Sequence, residues 1–337
     1  MKEKREYWQA IRGTCILAVV LIHSLGGFDY SASYGTEFLI LRQIINFTVA
    51  VFVFMAGYFV NIDKLTNKEK SVNWLFIRLE RLCIPFVIWS LVYSGLDLLK
   101  NVHSEEEINW IRYAYRFIVG KSAVPFYYIV VLMQMTLHTP MIVKVVKKNS
   151  VFSKILWLVT PIYLFFVYAW NYIVGAPPRL YETLFPAWFG FYYLGVFVKC
   201  GKKFSCSGYM VIGSLLLSII EALGLRCIEL DIGFYTSQIT VGSFLYSATM
   251  IGWLLKKSKE KSYKNQLLVK VGDCSYGIFY IHMVVLMVVG RFIECDNWYV
   301  YWLLRFTLTA IISFGVIFAT KKILHRHKEL LRHVGFV

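Results

Sequence analysis

Charge is scarce in this chain. Of its 337 residues only 17% are Asp, Glu, Lys or Arg, while 58% are hydrophobic and 18% aromatic. Soluble domains carry about a quarter charged residues, so the composition excludes an ordinary water-soluble globule. Cysteine is sparse and unpatterned. The seven, at 15, 83, 200, 206, 227, 274 and 295, make no CxxC pair and no metal-ligand spacing, so no metal site is expected. Most fall in or beside apolar runs, where Cys acts as a small hydrophobe. Cys227 and Cys295 fall in loops expected on the outer side and are the one candidate pair. A Gly/Ser linker, a low-complexity tract and an internal repeat are also missing, which leaves no boundary for a second folded domain. The start "MKEKREYWQA" runs into an apolar segment without a small-residue cleavage site, unlike a secretory leader.

What fills the chain is a series of apolar runs of about twenty residues, the length that crosses roughly 30 Å of hydrocarbon. Ten can be read, at about 10–28, 40–60, 83–100, 124–143, 155–174, 184–199, 208–225, 237–255, 272–292 and 298–320. The expected fold is therefore all-α, a polytopic membrane helix bundle of about ten transmembrane helices. The gaps alternate in character. "NIDKLTNKEKSVNWLFIRLERL", "KVVKKNSVFSK", "KCGKKFS", "KKSKEKSYKNQ" and the tail "KKILHRHKELLRHV" are dense in Lys and Arg. "DYSASYGTE", "NVHSEEEINWIRYAYRFIVGK", "GAPPRLYETLFP", "RCIELDIGFYTSQ" and "RFIECDNW" are acidic or nearly neutral. Basic loops stay in the cytoplasm, so both termini are expected inside. The formal net charge of +16 then reflects topogenic loops, and no nucleic-acid partner is expected. In one outer gap Ile108, Ile111, Tyr115 and Ile118 recur at helical spacing among charges. That pattern reads as a short amphipathic helix, lying on the membrane interface or packed over its own bundle.

Ionisable side chains inside apolar runs are the candidates for chemistry, because they normally face a bundle interior or a watery path. "RGTCILAVVLIH" sets Arg12 and His23 eleven residues apart. Eleven helical residues turn through about three turns plus 20° and rise about 16 Å, so both side chains share one face. A neutral imidazole there can serve as a general base near pH 7. The plainer readings are a snorkelling arginine and a histidine bonded to a neighbouring helix. "FIRLERLCIPF" puts Arg78 and Arg81 three apart on one face, where topogenic charge is the alternative. "VPFYYIVVLMQMTLHTPMI" carries Gln134 and His138 as lesser candidates. "VGDCSYGIFYIHMVV" brings Ser275, Tyr276, Tyr280 and a second intramembrane histidine, His282. Ser275 and Tyr276 also suit helix packing, and His282 a bond to a neighbour. Glu37 lies near the outer end of the second segment, either orienting a hydroxyl or serving as an ordinary loop charge. His325, His327 and His333 in the tail are expected at the lipid surface.

Taken together, these stretches resemble the acyltransferase 3 family of integral membrane acyltransferases. That family shows Arg-x10-His in its first helix, an "FFxxSGF"-like end to its second, "RxxR…P" leading its third, and a late "GxxSYxxYLxH". The sequence matches at Arg12 and His23, at Gly57, at Arg78, Arg81 and Pro85, and at Gly272, Ser275, Tyr276, Tyr280 and His282. "MAGY" stands where "LSGF" is usual, and "YIH" departs slightly at the last motif.

The resemblance implies an acyltransferase 3-like transmembrane domain over 1–325 and a basic cytoplasmic tail over 326–337. It implies a multi-pass protein of the cell membrane, expected to be a bacterial plasma membrane. The implied reaction moves an acyl group, most often acetyl, from cytoplasmic acetyl-CoA to a surface glycan or its lipid-linked precursor. Acyl-CoA is then a co-substrate, and no permanently bound cofactor is implied. Arg12, Arg78 and Arg81 would clamp the CoA phosphates. His23 would act with Arg12 as the catalytic pair, as general base or as transient acyl carrier. His282, Ser275, Tyr276 and Glu37 would form a secondary, substrate-facing set. A dimer is compatible with this reading. The alternative from another class is a transporter or flippase of a small molecule or glycan precursor. Its mark would be Gly/Pro-broken helices in corresponding halves, a symmetry that Pro85, Pro140 and Pro161 lack.

Overall fold

A computed structural model describes residues 2–26, 34–65, 67–104, 107–148, 150–259 and 265–336, and among them every regular element is helical. In chain order these are α1 (Lys2–Ser24), α2 (Gly35–Ile45), α3 (Thr48–Tyr58), α4 (Ile62–Leu65), α5 (Lys68–His103), α6 (Trp110–Ile118), α7 (Tyr127–Lys148) and α8 (Val151–Ile155). They continue with α9 (Val159–Val174), α10 (Phe189–Lys199), α11 (Gly208–Cys227), α12 (Ile232–Tyr235) and α13 (Val241–Lys257). The last four are α14 (Gln266–Asp273), α15 (Ser275–Phe292), α16 (Trp298–Ile323) and α17 (Lys328–His333).

Seven helical stretches are long and apolar enough to cross a membrane: Gly35–Tyr58, Glu69–His103, Val124–Lys148, Val151–Val174, Gly208–Cys227, Ser275–Phe292 and Trp298–Ile323. The other three expected segments are helical too. However, α1 carries its first charges inside the helix, and α10 and α13 span only 11 and 17 residues. In Gly208–Cys227 only 11% of the apolar window is buried in the protein. Apolar surface on that scale belongs in lipid, not water.

The chain divides into two compact units. The first comprises Met1–Trp8, Leu25–Trp74 and Leu137–Lys264. Its tightest crossing is between α3 and α10. A Cβ on Gly57 would overlap the Tyr192 carbonyl, and one on Gly195 would overlap that of Phe54. Gly57, one of the family-like positions, therefore serves close helix approach. The same unit buries a polar cluster around Gln43. Its amide nitrogen donates to the Tyr235 carbonyl (3.3 Å). Its oxygen accepts from Asn46 Nδ2 (3.2 Å), Ser218 Oγ (2.8 Å) and Ser243 Oγ (3.2 Å). Asn46 also donates to the Ser237 carbonyl (3.3 Å). These bonds pin the backbone around 235–237, where α12 ends, and satisfy carbonyls that burial would otherwise leave unpaired.

The second unit comprises Gln9–Ser24, Leu75–Thr136 and Asn265–Val337. The amphipathic pattern in the third outer gap becomes α6, whose first turn is capped by the Asn109 side chain. Its apolar stripe is not covered by the unit: Ile111 is 83% exposed and Ile118 73%. Arg116 pairs with Asp97 at 2.6 Å and holds the helix to α5. The tail folds back on the same helix. Arg332 pairs with Glu80 (2.8 Å), and the Trp89 indole donates to the Val334 carbonyl (3.0 Å). Gly335, at φ +75°, presses against the Tyr280 ring, where a side chain would collide. All seven cysteines are free thiols, Cys227 and Cys295 included.

Candidate functional site

The family-like residues Arg12, His23, Arg78, Arg81, Ser275, Tyr276 and His282 all lie in the second unit. They are assembled from α1, α5 and α15, with α7 and α14 alongside. The position of Arg12 follows from a glycine contact. A Cβ on Gly13 would overlap the Leu268 carbonyl, and one on Gly272 would overlap the Gln9 carbonyl. Two bare backbones thus let α1 and α14 meet directly. This contact brings together residues more than 250 positions apart. The Gln9 amide donates to Asp273 Oδ1 at 2.6 Å, and Arg12 Nη1 donates to Gln9 Oε1 at 3.2 Å. Asp273, Tyr128 and Arg78 lie within electrostatic reach of the half-buried guanidinium. Lys321 Nζ donates to the Asp273 carbonyl (3.0 Å) and ties α16 to the same corner.

Pro85 explains how the "RxxR…P" and "SYxxY" stretches are joined. Proline has no N–H, so the carbonyl four residues earlier loses its helical donor. That carbonyl belongs to Arg81, and the Tyr276 hydroxyl donates to it at 3.2 Å. Tyr276 and Tyr280 share a hydrogen bond of 3.0 Å between their hydroxyls. Arg78 is half-buried and within electrostatic reach of Tyr128 and Tyr276. The Arg81 side chain is exposed.

At the other end of the face, His23 meets His282, with ring centroids 5.2 Å apart and planes tilted by 42°. Between Arg12 and His23 the same stripe of α1 carries Ile16 and Val19, 1% and 5% exposed. An aromatic series runs beside it, from Tyr128 to Phe279 (5.6 Å) and from Phe279 to His282 (6.3 Å). The arrangement is thus a buried apolar stripe with a cationic cluster at one end and two imidazoles at the other. Ser275 is buried, with no hydrogen-bond partner for its hydroxyl among the described residues.

Glu37 belongs to the first unit, exposed in the first turn of α2. His138 also lies there, stacked on Phe185 at 4.9 Å. No group of three or more His, Cys, Asp or Glu side chains that could hold a metal occurs among the described residues. Three participants escaped sequence reasoning: Gln9, Tyr128 and Asp273. The signals present were an acid directly after Gly272 and a tyrosine in the aromatic stretch that opens α7. Neither has a spacing that points to Arg12.

Two comparisons found nothing: no curated protein and no solved structure matches the chain. A third found a family model described as an acyltransferase domain, which matches residues 5–321, nearly the whole chain and every residue of the clusters just described. With apolar helices that suit a membrane and that match over its length, the chain belongs to the acyltransferase 3 family.

Proposed function

We propose that this multi-pass membrane acyltransferase is an O-acetyltransferase. In this reading it moves acetyl from cytoplasmic acetyl-CoA to a hydroxyl of a surface glycan or lipid-linked precursor. The observation that carries the reading is the shared face of α1, with Arg12 among cationic and tyrosyl neighbours and His23 beside a second imidazole about three turns away. The alternation of basic and neutral loops supports ten spans, both termini in the cytoplasm and the Arg12 end on the inner side. The exposed apolar stripe of α6 then lies on the outer interface.

Guanidinium groups bind phosphates through paired, charge-assisted hydrogen bonds. Arg12, Arg78 and the exposed Arg81 would take the CoA phosphates, and the apolar stripe of Ile16 and Val19 would accommodate the arm that carries the thioester. His23 would remove the proton of the acceptor hydroxyl as its oxygen attacks the thioester carbonyl. The C–S bond then breaks, CoA leaves as thiolate, and the proton returns from His23 to that sulfur. Ser275 and Tyr276 would line the donor path. The chemistry asks for no bound cofactor beyond the acetyl-CoA consumed.

The test uses purified protein in vesicles, labelled acetyl-CoA and a polysaccharide acceptor. Label should appear on the acceptor and fall about 10²–10⁴-fold in His23→Ala, the usual worth of a general base. Transfer by His23→Ala at the wild-type rate would remove His23 from the chemistry. Solute movement across the vesicles with no acyl transfer to any glycan would favour the transporter reading.

A further inference from the structure

His282 is 0% exposed, and its proton can be assigned from its surroundings. Its Nδ1 lies 3.0 Å from the carbonyl oxygen of Ile278, one turn back on α15. A carbonyl only accepts, so Nδ1 carries the hydrogen, and a neutral ring then has a bare lone pair on Nε2. That Nε2 is buried and has no hydrogen-bond partner among the described residues. A buried acceptor without a donor is a costly arrangement, usually found where something else is to bind or rearrange.

Two tyrosine hydroxyls on and against α15 are already used. Tyr93 donates to the Tyr280 carbonyl (2.8 Å) and accepts from the Val284 amide (3.2 Å). Tyr280 is bonded to Tyr276. Phe279, the other ring beside His282, has no donor. The imidazole of His23 lies directly beside the ring, with its centroid 5.2 Å away. Two imidazoles joined by an N–H···N bond of about 2.9 Å have centres roughly 5 Å apart. Closing the bond therefore needs ring rotation, not helix movement.

We propose that His282 is a positioning residue for His23: its fixed, bare Nε2 accepts the N–H of His23 and so decides which nitrogen of His23 is the base. This rests on the reading of His23 as general base. One His23 nitrogen is held protonated toward His282, and the other presents its lone pair to the acceptor hydroxyl. When His23 takes that proton, the resulting imidazolium keeps its bond to a neutral acceptor. No proton is lost from His282, and none is gained. The task is that of an orienting carboxylate behind a catalytic histidine, performed here by a neutral group that suits a membrane interior.

The test pairs a spectroscopic measurement with two substitutions in the full chain. Nitrogen-15 NMR of histidine-labelled protein should show His282 as the Nδ1–H tautomer and His23 as a single tautomer. In His282→Phe, which keeps a ring but has no acceptor, His23 should become a tautomer mixture. Its kcat should fall about 100-fold with KM for acetyl-CoA within twofold, the scale of a disturbed general base. His282→Gln, whose side-chain carbonyl can stand in for Nε2, should recover to within about tenfold of wild type. A packing role predicts the reverse order, with Phe better than Gln. Phe matching or exceeding Gln, or an Nε2–H tautomer of His282 in the wild type, overturns the proposal. The wild-type spectrum decides even if a variant fails to fold. Loss of the base reading would show separately, as full activity in His23→Ala.

Discussion

Gln43 and His282 are both polar side chains buried inside apolar helices, 1% and 0% exposed, and they are treated in opposite ways. Each polar atom of Gln43 is bonded, its oxygen three times over. His282 has one nitrogen occupied and the other open, beside a second imidazole. A saturated side chain such as Gln43 holds a backbone in place and has no hydrogen-bonding capacity left for a ligand. An unsaturated one retains the capacity to bind and respond. The same contrast separates two close helix crossings. Gly57 and Gly195 join α3 to α10 through backbone contact. Gly13 and Gly272 join α1 to α14 and set Asp273, Gln9 and Arg12 in a hydrogen-bonded row. Burial is common to both regions; a charged row and a facing pair of imidazoles distinguish the second.

The largest change expected comes from forcing the second crossing apart. Gly272→Val would press a branched side chain into the Gln9 carbonyl, and overpacking of this kind costs about 1–3 kcal/mol or more. Fluorescence-detected size exclusion should show little folded protein, and the folded remainder should transfer little acetyl. Half the wild-type activity in Gly272→Val would mean that the crossing does not set Arg12. Next comes Arg12→Lys, which keeps the charge but loses the planar fork. KM for acetyl-CoA should rise about tenfold with kcat largely kept, because an ammonium cannot make the paired contact. A fall confined to kcat would move Arg12 from donor binding to the chemical step.

Gln43→Ala addresses the other side of the contrast. It removes the acceptor shared by Asn46, Ser218 and Ser243 and the donor to the Tyr235 carbonyl, at a cost of about 1–3 kcal/mol for buried groups left short of a partner. Thermal stability should drop while the transfer rate per folded molecule stays at the wild-type value. A rate loss like that of a His23 variant would erase the distinction between the two clusters. The smallest effect belongs to Asp273→Asn, which keeps an oxygen for the Gln9 amide. Activity should change less than about fivefold, the scale of a surface electrostatic contact. A larger loss would show that the Asp273 charge, and not only its hydrogen bond, governs Arg12.

The helices were legible because lipid demands long apolar runs, and all ten expected segments lie over helices. Three of them fall outside the spans set by length and apolarity for separate reasons. Charges occupy the first residues of α1, while α10 and α13 are shorter. In α10 eight of the eleven residues are buried, so an apolar run also arises from burial in protein. The Arg12–His23 face was legible because helical periodicity needs no partner. The Gln9–Asp273 bond was not, since it joins positions 264 apart through two glycines whose lack of a side chain is silent in a pattern of apolar residues. The tail pattern predicted a surface segment. Its docking on α5 and α15 comes from Arg332, Val334 and Gly335 meeting Glu80, Trp89 and Tyr280, a match of shapes that composition does not encode.

By itself, then, the sequence determined an all-helical membrane chain, the family motifs and the common face of Arg12 and His23. Those properties depend on hydrophobicity and on a helical repeat that is the same in every protein. Only the tertiary structure decided that Pro85 leaves the Arg81 carbonyl to Tyr276, that Asp273 reaches Arg12 through Gln9, and that the open nitrogen of His282 lies beside His23. Hydrogen bonds and ring contacts act over a few ångströms, and which groups come that close is set by helix crossings between distant parts of the chain.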